Sequence, residues 1–303
     1  MAETSGRKHR RIAARAAAAA LTAALVATGT SAVAADAPQP SLGAAAGQPS
    51  AAASAAAAAV TPTFALYGVN SSGTAYSYAP NGAGGLSSRD VSGSGWVGVS
   101  AMSQVDNQGD GKSDGLWFRE SNGDMGYLKF DSSSVKIGYG WNIYNKIVST
   151  GNIGGAAAGD LLTRTTNGDL YVYLGYGTGK LTGRIKVGYG WDIYSEIAGN
   201  GDLNGDGKND VVARDKSGVL WLYKGTGNQK APFSARTKVG SGWNTYNKLV
   251  STGDLDLDGR TDLVARNSAG ELYLYKGTGN AATPYKAKVR IGTSGWNSYK
   301  FLF

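Results

Sequence analysis

From Thr63 to the end of the chain, apolar and polar residues alternate over short runs such as Leu272-Tyr-Leu-Tyr275, and Gly, Asn or Asp bounds each run. Period-two alternation with β-branched and aromatic side chains predicts short half-buried strands separated by tight turns. No stretch in this region carries the 3.6-residue period of a helix. The runs form a larger repeat marked by Gly-Trp at Trp96, Trp141, Trp191, Trp243 and Trp296, at spacings of 45, 50, 52 and 53 residues. Its best-preserved copy contains Gly242-Trp-Asn-Thr-Tyr246, an acidic loop, Asp262-Leu-Val-Ala-Arg266, Glu271-Leu-Tyr-Leu-Tyr-Lys276 and Ala287-Lys-Val-Arg-Ile-Gly292. This predicts four strands per unit.

Four antiparallel strands repeated radially describe a β-propeller blade. The two ends of the region fix the number of blades. Phe64 to Tyr78 aligns with the second and third strands of a unit, whereas Gly295-Trp-Asn-Ser-Tyr-Lys-Phe-Leu-Phe303 aligns with the first strand alone. These are complementary fragments of one blade. The expectation is an all-β, five-bladed propeller over residues 63–303, closed by pairing the C-terminal strand with the N-terminal strands.

Between the first and second strands of three units lies a loop with oxygen-bearing side chains at alternate positions. In one copy these are Asp202, Asn204, Asp206 and Asp210 at positions 1, 3, 5 and 9, with the carbonyl of Lys208 at position 7 and Gly207 at the bend. A second copy has Asp254, Asp256, Asp258, Arg260 and Asp262; a third has Asp106, Gln108, Asp110, Lys112 and Asp114. Calcium takes 6–8 oxygens at irregular angles, which suits this spacing. An EF-hand closes with Glu at position 12 between helices. Here position 12 is Ala213, Ala265 or Trp117 and a strand follows, so the loops are not EF-hands. In a fourth unit, Asn152 to Asp160, Gly154 and Ala156 stand at positions 3 and 5 and the ligand set is lost. About three calcium ions are expected.

The acidic loop, a hydrophobic strand and a following G-x-L-Y-x-Y together resemble the FG-GAP or VCBS repeats of integrin α-like propellers, over nearly all of residues 95–292. The resemblance implies calcium in a mainly structural role and work in recognition, adhesion or sugar binding. The five blades and the decayed loop at Asn152 depart from the seven-bladed members, so no ligand site of theirs is carried over.

The front of the chain changes the electrostatic picture. A basic head (Arg7, Lys8, Arg10, Arg11, Arg15), an apolar run from Ala16 to Ala27 and Ser31-Ala-Val-Ala-Ala35 read as a secretion signal over residues 1–35, with Sec and twin-arginine routes both open. The run is shorter than the ~20 residues of a membrane span. Residues 36–62, rich in Ala, Pro and Ser, read as a flexible linker. Formal net charge is +8, but five Lys/Arg and one acid belong to residues 1–35, leaving +4. The bases are scattered, which argues against nucleic acid as a partner.

Cysteine is absent and the one histidine, His9, lies in the signal, so residues 36–303 offer neither Ser-His-Asp nor Cys-His catalysis. Ten of the remaining 21 acids lie in the three loops, and no other pair stands out as glycosidase carboxylates. Trp141, Tyr144, Trp191, Tyr194, Trp243 and Tyr246 offer one aromatic pair per blade. They suit either sugar stacking or packing between blades. Arg119, Arg164, Arg214 and Arg266 brace turns or face a ligand.

The expected protein is therefore a secreted, extracellular, calcium-stabilised monomer without enzymatic activity, binding carbohydrate or a cell-surface polymer. Alternatives are a protein-binding subunit of a larger secreted assembly, with an extracellular protein as partner, and, third, a polysaccharide-cleaving enzyme.

Overall fold

A computed structural model describes residues 60–155 and 158–303. The expected signal over 1–35, and the linker up to residue 59, lie outside the described residues. Four blades are continuous in sequence. The first holds β4 (Val99–Val105), β5 (Gly115–Glu120), β6 (Met125–Lys129) and β7 (Ser134–Gly138). The second holds β8 (Tyr144–Gly151), β9 (Asp160–Thr165), β10 (Leu170–Tyr173) and β11 (Ile185–Gly188). The third holds β12 (Tyr194–Gly199), β13 (Val211–Asp215), β14 (Leu220–Tyr223) and β15 (Thr237–Gly240), and the fourth β16 (Tyr246–Gly253), β17 (Asp262–Asn267), β18 (Leu272–Tyr275) and β19 (Val289–Gly292). Each is an antiparallel sheet in sequence order.

The fifth blade is composite. β20 (Tyr299–Leu302) pairs with β1 (Leu66–Asn70), which is followed by β2 (Ala75–Tyr78) and β3 (Asp90–Gly93). Tyr67 and Phe303 exchange both backbone hydrogen bonds, at 2.8 and 3.0 Å, and stack their rings at 5.8 Å. Five blades and the expected closure are thus present. Ordered packing starts before Thr63: the Thr61 hydroxyl donates to Gly259 C=O, and the Asp254 N–H donates to Pro62 C=O at 2.6 Å. The chain leading into β1 therefore lies across the fourth blade's acidic loop.

Each hydrophobic cluster joins two blades. Leu170 and Val172 of the second blade pack with Trp191, Ile197 and Ala213 of the third, and Val69 of the closing blade packs with Trp96 and Met102 of the first. Alternation puts one set of side chains from each strand toward the preceding blade and the other toward the next. A blade is consequently buried only when both neighbours are present. The outermost strands are edges, and they carry bases (Lys136, Lys186, Lys238, Arg290) and a register shift against the third strand, features that discourage edge-to-edge association.

The Gly-Trp links form single 3-10 turns at Trp141–Ile143, Trp191–Ile193, Trp243–Thr245 and Trp296–Ser298, the one helical feature that alternation does not reveal. Each Trp N–H donates to the glycine carbonyl of the preceding blade's hairpin, as from Trp243 to Gly218 at 2.9 Å. No helix among the described residues is long and apolar enough to cross a membrane.

The repeated arginines clamp neighbouring blades. Arg214 of the third blade donates from Nη1 to the carbonyls of Trp243 and Tyr246 in the fourth, and from Nε to Ser195 Oγ at 2.9 Å. Arg119, Arg164 and Arg266 make the same bonds to the next blade's Trp and Tyr carbonyls. The closing blade has Val69 at this position, so its contact with the first blade lacks the clamp and relies on apolar packing and on other bonds, Gln104 Nε2 to Ala65 C=O and Lys300 Nζ to Val99 C=O, each at 2.8 Å. Arg214→Ala, which leaves two buried carbonyls short of a donor, should cost about 2–4 kcal/mol in denaturant unfolding. Deleting Trp296 to Phe303 should abolish cooperative folding; a soluble deletion variant with a sharp melt would contradict the closure.

Candidate metal centre

The acidic loops connect the first strand of a blade to the second. At position 6, Gly111, Gly207 and Gly259 adopt φ of 80°, 81° and 85°, a left-handed conformation that strains other residues. The position-1 aspartate organises the turn by accepting backbone N–H groups. Asp202 takes Asn204, Gly205 and Gly207; Asp106 takes Gln108, Gly109, Asp110 and Gly111; Asp254 takes Asp258 and Gly259. The position-5 carboxylates of Asp110, Asp206 and Asp258 each accept the N–H of position 7, which is Lys112, Lys208 or Arg260.

Position 9 has a second role that the spacing does not reveal. Asp160, Asp210 and Asp262 are fully buried, and each accepts an N–H from its own loop and another, fifteen residues on, from Gly175, Gly225 or Gly277. The aspartate thereby ties the first connection of a blade to its third. Asp160 persists in the loop that has lost its other ligands because this tie does not depend on a cation.

The three loops differ as metal sites. In the fourth blade, ligand oxygens of Asp254, Asp256 and Asp262 lie within 4.8 Å of one another, a cluster that can hold a metal ion. Asp256 Oδ1 is buried without a hydrogen-bond partner, while its Oδ2 meets Lys276 Nζ at 2.8 Å. Burial pushes the Asp262 carboxyl up to about 7 and raises Asp254, with Asp256 adding to both. An unmet oxygen among crowded, desolvated carboxylates is what a hard cation satisfies. Asp258 lies apart from the cluster, against Lys286 at 3.6 Å and Arg260 at 4.0 Å.

In the third blade, Asn204 donates its side-chain amide to both oxygens of Asp210, so that pair is already satisfied. In the first, Asn107 donates from Nδ2 to Asp114 Oδ1 at 2.7 Å and to the Tyr127 hydroxyl at 2.9 Å, and Gln108 is exposed. The cause is one extra residue, Gly115, between the loop and Arg119, which moves Asp114 off the buried position held by Asp160, Asp210 and Asp262. Among the described residues, then, the fourth-blade loop alone gathers three carboxylates. Lys276 and Asn107 are the participants that loop spacing missed; Lys276 lies outside the loop, at a third-strand end where Lys129 and Lys224 also stand, and Asn107 at an even loop position that the ligand spacing skips.

The six expected aromatic ligands take the packing alternative. Trp141, Tyr144, Trp191, Tyr194, Trp243 and Tyr246 are at most 8% exposed. Each Trp lies against the Tyr that ends its blade's third strand, Tyr173, Tyr223 or Tyr275, at 4.5–4.6 Å, and that Tyr shares a hydroxyl hydrogen bond with Tyr144, Tyr194 or Tyr246. Their ring faces are covered and unavailable for sugar stacking. The pocket between the first strands, lined by Met102, Ile147, Ile197 and Lys248 among others, encloses about 70 Å³, against roughly 300–1,000 Å³ for small-molecule pockets.

Asp160 titrates without a ligand set around it. Burial pushes its carboxyl up to about 6, against the pull of the Gly154, Gly175 and Ile153 amides. A folded-state value above the unfolded one means that the protonated form favours folding; this contribution is full below about pH 4 and lost as pH rises through about 6. The stability advantage of wild type over Asp160→Asn should shrink between pH 4 and 7 in thermal melts. A constant or growing advantage would contradict the burial argument. Asp160→Ala, which strands two buried N–H donors and one part-buried one, should cost on the order of 3 kcal/mol.

The FG-GAP-like repeat family matches residues 202–265, which run from the third blade's acidic loop through that of the fourth. No curated protein matches the sequence. Among solved structures, the chain is similar to the BP39L lectin of Burkholderia pseudomallei (13% identity, 76% of this chain and 69% of that one, TM-score 0.47). It is also similar to a calcium-binding protein, regucalcin, of Agrobacterium tumefaciens (14%, 75% and 74%, TM-score 0.40) and to Prp20p of Saccharomyces cerevisiae (11%, 76% and 61%, TM-score 0.38). The repeat match falls on two successive acidic loops, so the third and fourth blades of this five-bladed propeller carry FG-GAP-like repeats.

Proposed function

We propose that this is a secreted, calcium-stabilised, non-enzymatic recognition protein whose ligand is carbohydrate. The observation that carries the recognition reading is a repeated surface position: the second residue of the third strand is a partly exposed ring in four blades, as Tyr76, Tyr171, Trp221 and Tyr273. In three of these blades the ring of the first-strand Tyr lies 5.9–6.1 Å from it, and in the third blade Trp221 Nε1 donates to Asp215 at 2.9 Å. Several equivalent amphipathic positions around a ring suit a repetitive polymer, bound through many weak contacts.

The calcium part rests on the Asp254, Asp256 and Asp262 cluster with its unmet Asp256 oxygen. A cation there holds the connection between β16 and β17, beside the chain that enters the closing blade. Its contribution is structural, leaving recognition to the blade surfaces. Secretion is supported by the signal-like pattern of residues 1–35. The non-enzymatic reading is supported by the absence of His and Cys from residues 36–303 and by the engagement of Asp124, Asp169, Glu196 and Glu271 in ion pairs.

Metal-free protein should melt about 5–10 °C below protein in calcium at 100-fold its dissociation constant, with recovery on adding calcium back. An unchanged melt in excess chelator would contradict the calcium reading. On a glycan array, binding should be seen in calcium and weaken in chelator; a blank array, together with capture of a single protein from the culture medium, would replace carbohydrate by protein as the ligand.

A further inference from the structure

The partly exposed rings are not bare. In the third blade the Arg236 guanidinium sits 4.1 Å over the Trp221 ring and donates to the Tyr194 hydroxyl. The residue just before the fourth strand repeats this in three other blades: Arg89 over Tyr76 at 4.8 Å, Arg184 over Tyr171 at 4.9 Å and Lys288 over Tyr273 at 4.5 Å. Lys288 also donates to the Tyr246 hydroxyl at 3.3 Å. The first blade loses all three parts together, with Ser134 in place of the cation, Gly126 in place of the ring and Val99 in place of the phenol. Joint loss in one copy and joint retention in four mark the three as one unit.

Other bases on the same strands are treated differently. Two residues further along, Lys136, Lys186 and Arg290 are each matched to an acid, Asp124, Asp169 and Glu271, at 2.8, 2.8 and 3.1 Å. Arg89, Arg236 and Lys288 are exposed, and among the described residues no carboxylate lies within ion-pair distance of them. A cation pinned by a ring and a phenol has already lost much of its side-chain freedom, so less is lost when it binds. A guanidinium so held offers its remaining N–H groups to a planar or tetrahedral anion.

We propose that these cations are binding stations for an anionic polysaccharide, with one carboxylate or sulfate taken per blade. This rests on the carbohydrate reading above and adds the charge of the ligand. Nucleic acid fits less well, because the cations cover the ring faces on which bases would stack. Repetition around the ring matches a polymer with a charge on each repeating unit.

The full-length protein, kept in constant low calcium, is titrated with polygalacturonate (carboxylate), dextran sulfate (sulfate), neutral dextran and single-stranded DNA. Binding to one or both charged polysaccharides, with none to dextran, is expected, and the stronger arm identifies the group. Arg89→Gln, Arg236→Gln and Lys288→Gln combined should weaken that binding about tenfold or more. Lys136→Gln, Lys186→Gln and Arg290→Gln combined, the same loss of charge at paired positions, should change it less than about threefold. Each single variant is measured too, so a folding defect in a triple does not remove the test. No binding to either charged polysaccharide, equal loss in both triples, or tighter binding of DNA would overturn the stations. A neutral glycan bound equally by wild type and the first triple would overturn them while leaving the carbohydrate reading intact.

Discussion

The structure depends on closing a ring. Each blade buries its two faces only against two neighbours, so an open row of blades would leave two apolar faces and lose the stabilisation of both. Closure is made by β20 against β1, with Tyr67 and Phe303 exchanging hydrogen bonds. The contact between the closing and first blades is also where the repeated Arg clamp is missing, with Val69 in its place. Four interfaces thus carry the Arg bonds to Trp and Tyr carbonyls, and the fifth is held without them, by packing around Val69 and by bonds such as Lys300 Nζ to Val99 C=O.

The acidic loops lie at one end of this ring and serve it in two ways. The position-9 aspartate ties two connections of a blade through buried hydrogen bonds, a role kept in the second blade without the other ligands. Around the fourth-blade loop the same aspartate joins a crowded carboxylate cluster, and the entering chain crosses there through Pro62. On the proposed reading, a cation at that loop secures both the blade and the approach to the closing strand. Recognition is left to the blade surfaces, which explains why the most recognisable motif in the chain is not where a ligand is expected.

Much of this was legible in the sequence. Strand alternation, the spacing of Trp96, Trp141, Trp191, Trp243 and Trp296, and the complementary ends give five blades and their closure, because a repeat must bury the same positions each time. Burial itself was less legible: a Trp or Tyr present in every blade reads equally as packing or as ligand contact until its neighbours are known. The difference between the three loops was hidden for another reason. It turns on one inserted residue, Gly115, and on Asn107 and Asn204, whose amides satisfy carboxylates that the spacing assigns to a metal. The stations of Arg89, Arg236 and Lys288 were hidden because ring and cation lie on different strands, some 13–15 residues apart in sequence.

Amide hydrogen exchange, followed residue by residue in calcium and in chelator, tests the link between the fourth-blade loop and closure. The account predicts that calcium slows exchange at the Asp254 N–H, bonded to Pro62, and at the Phe64 N–H, bonded to Thr252. Amides of the second blade's loop, which lacks the ligand set, should keep their rates. Equal exchange at Asp254 and Phe64 in the two conditions would contradict it.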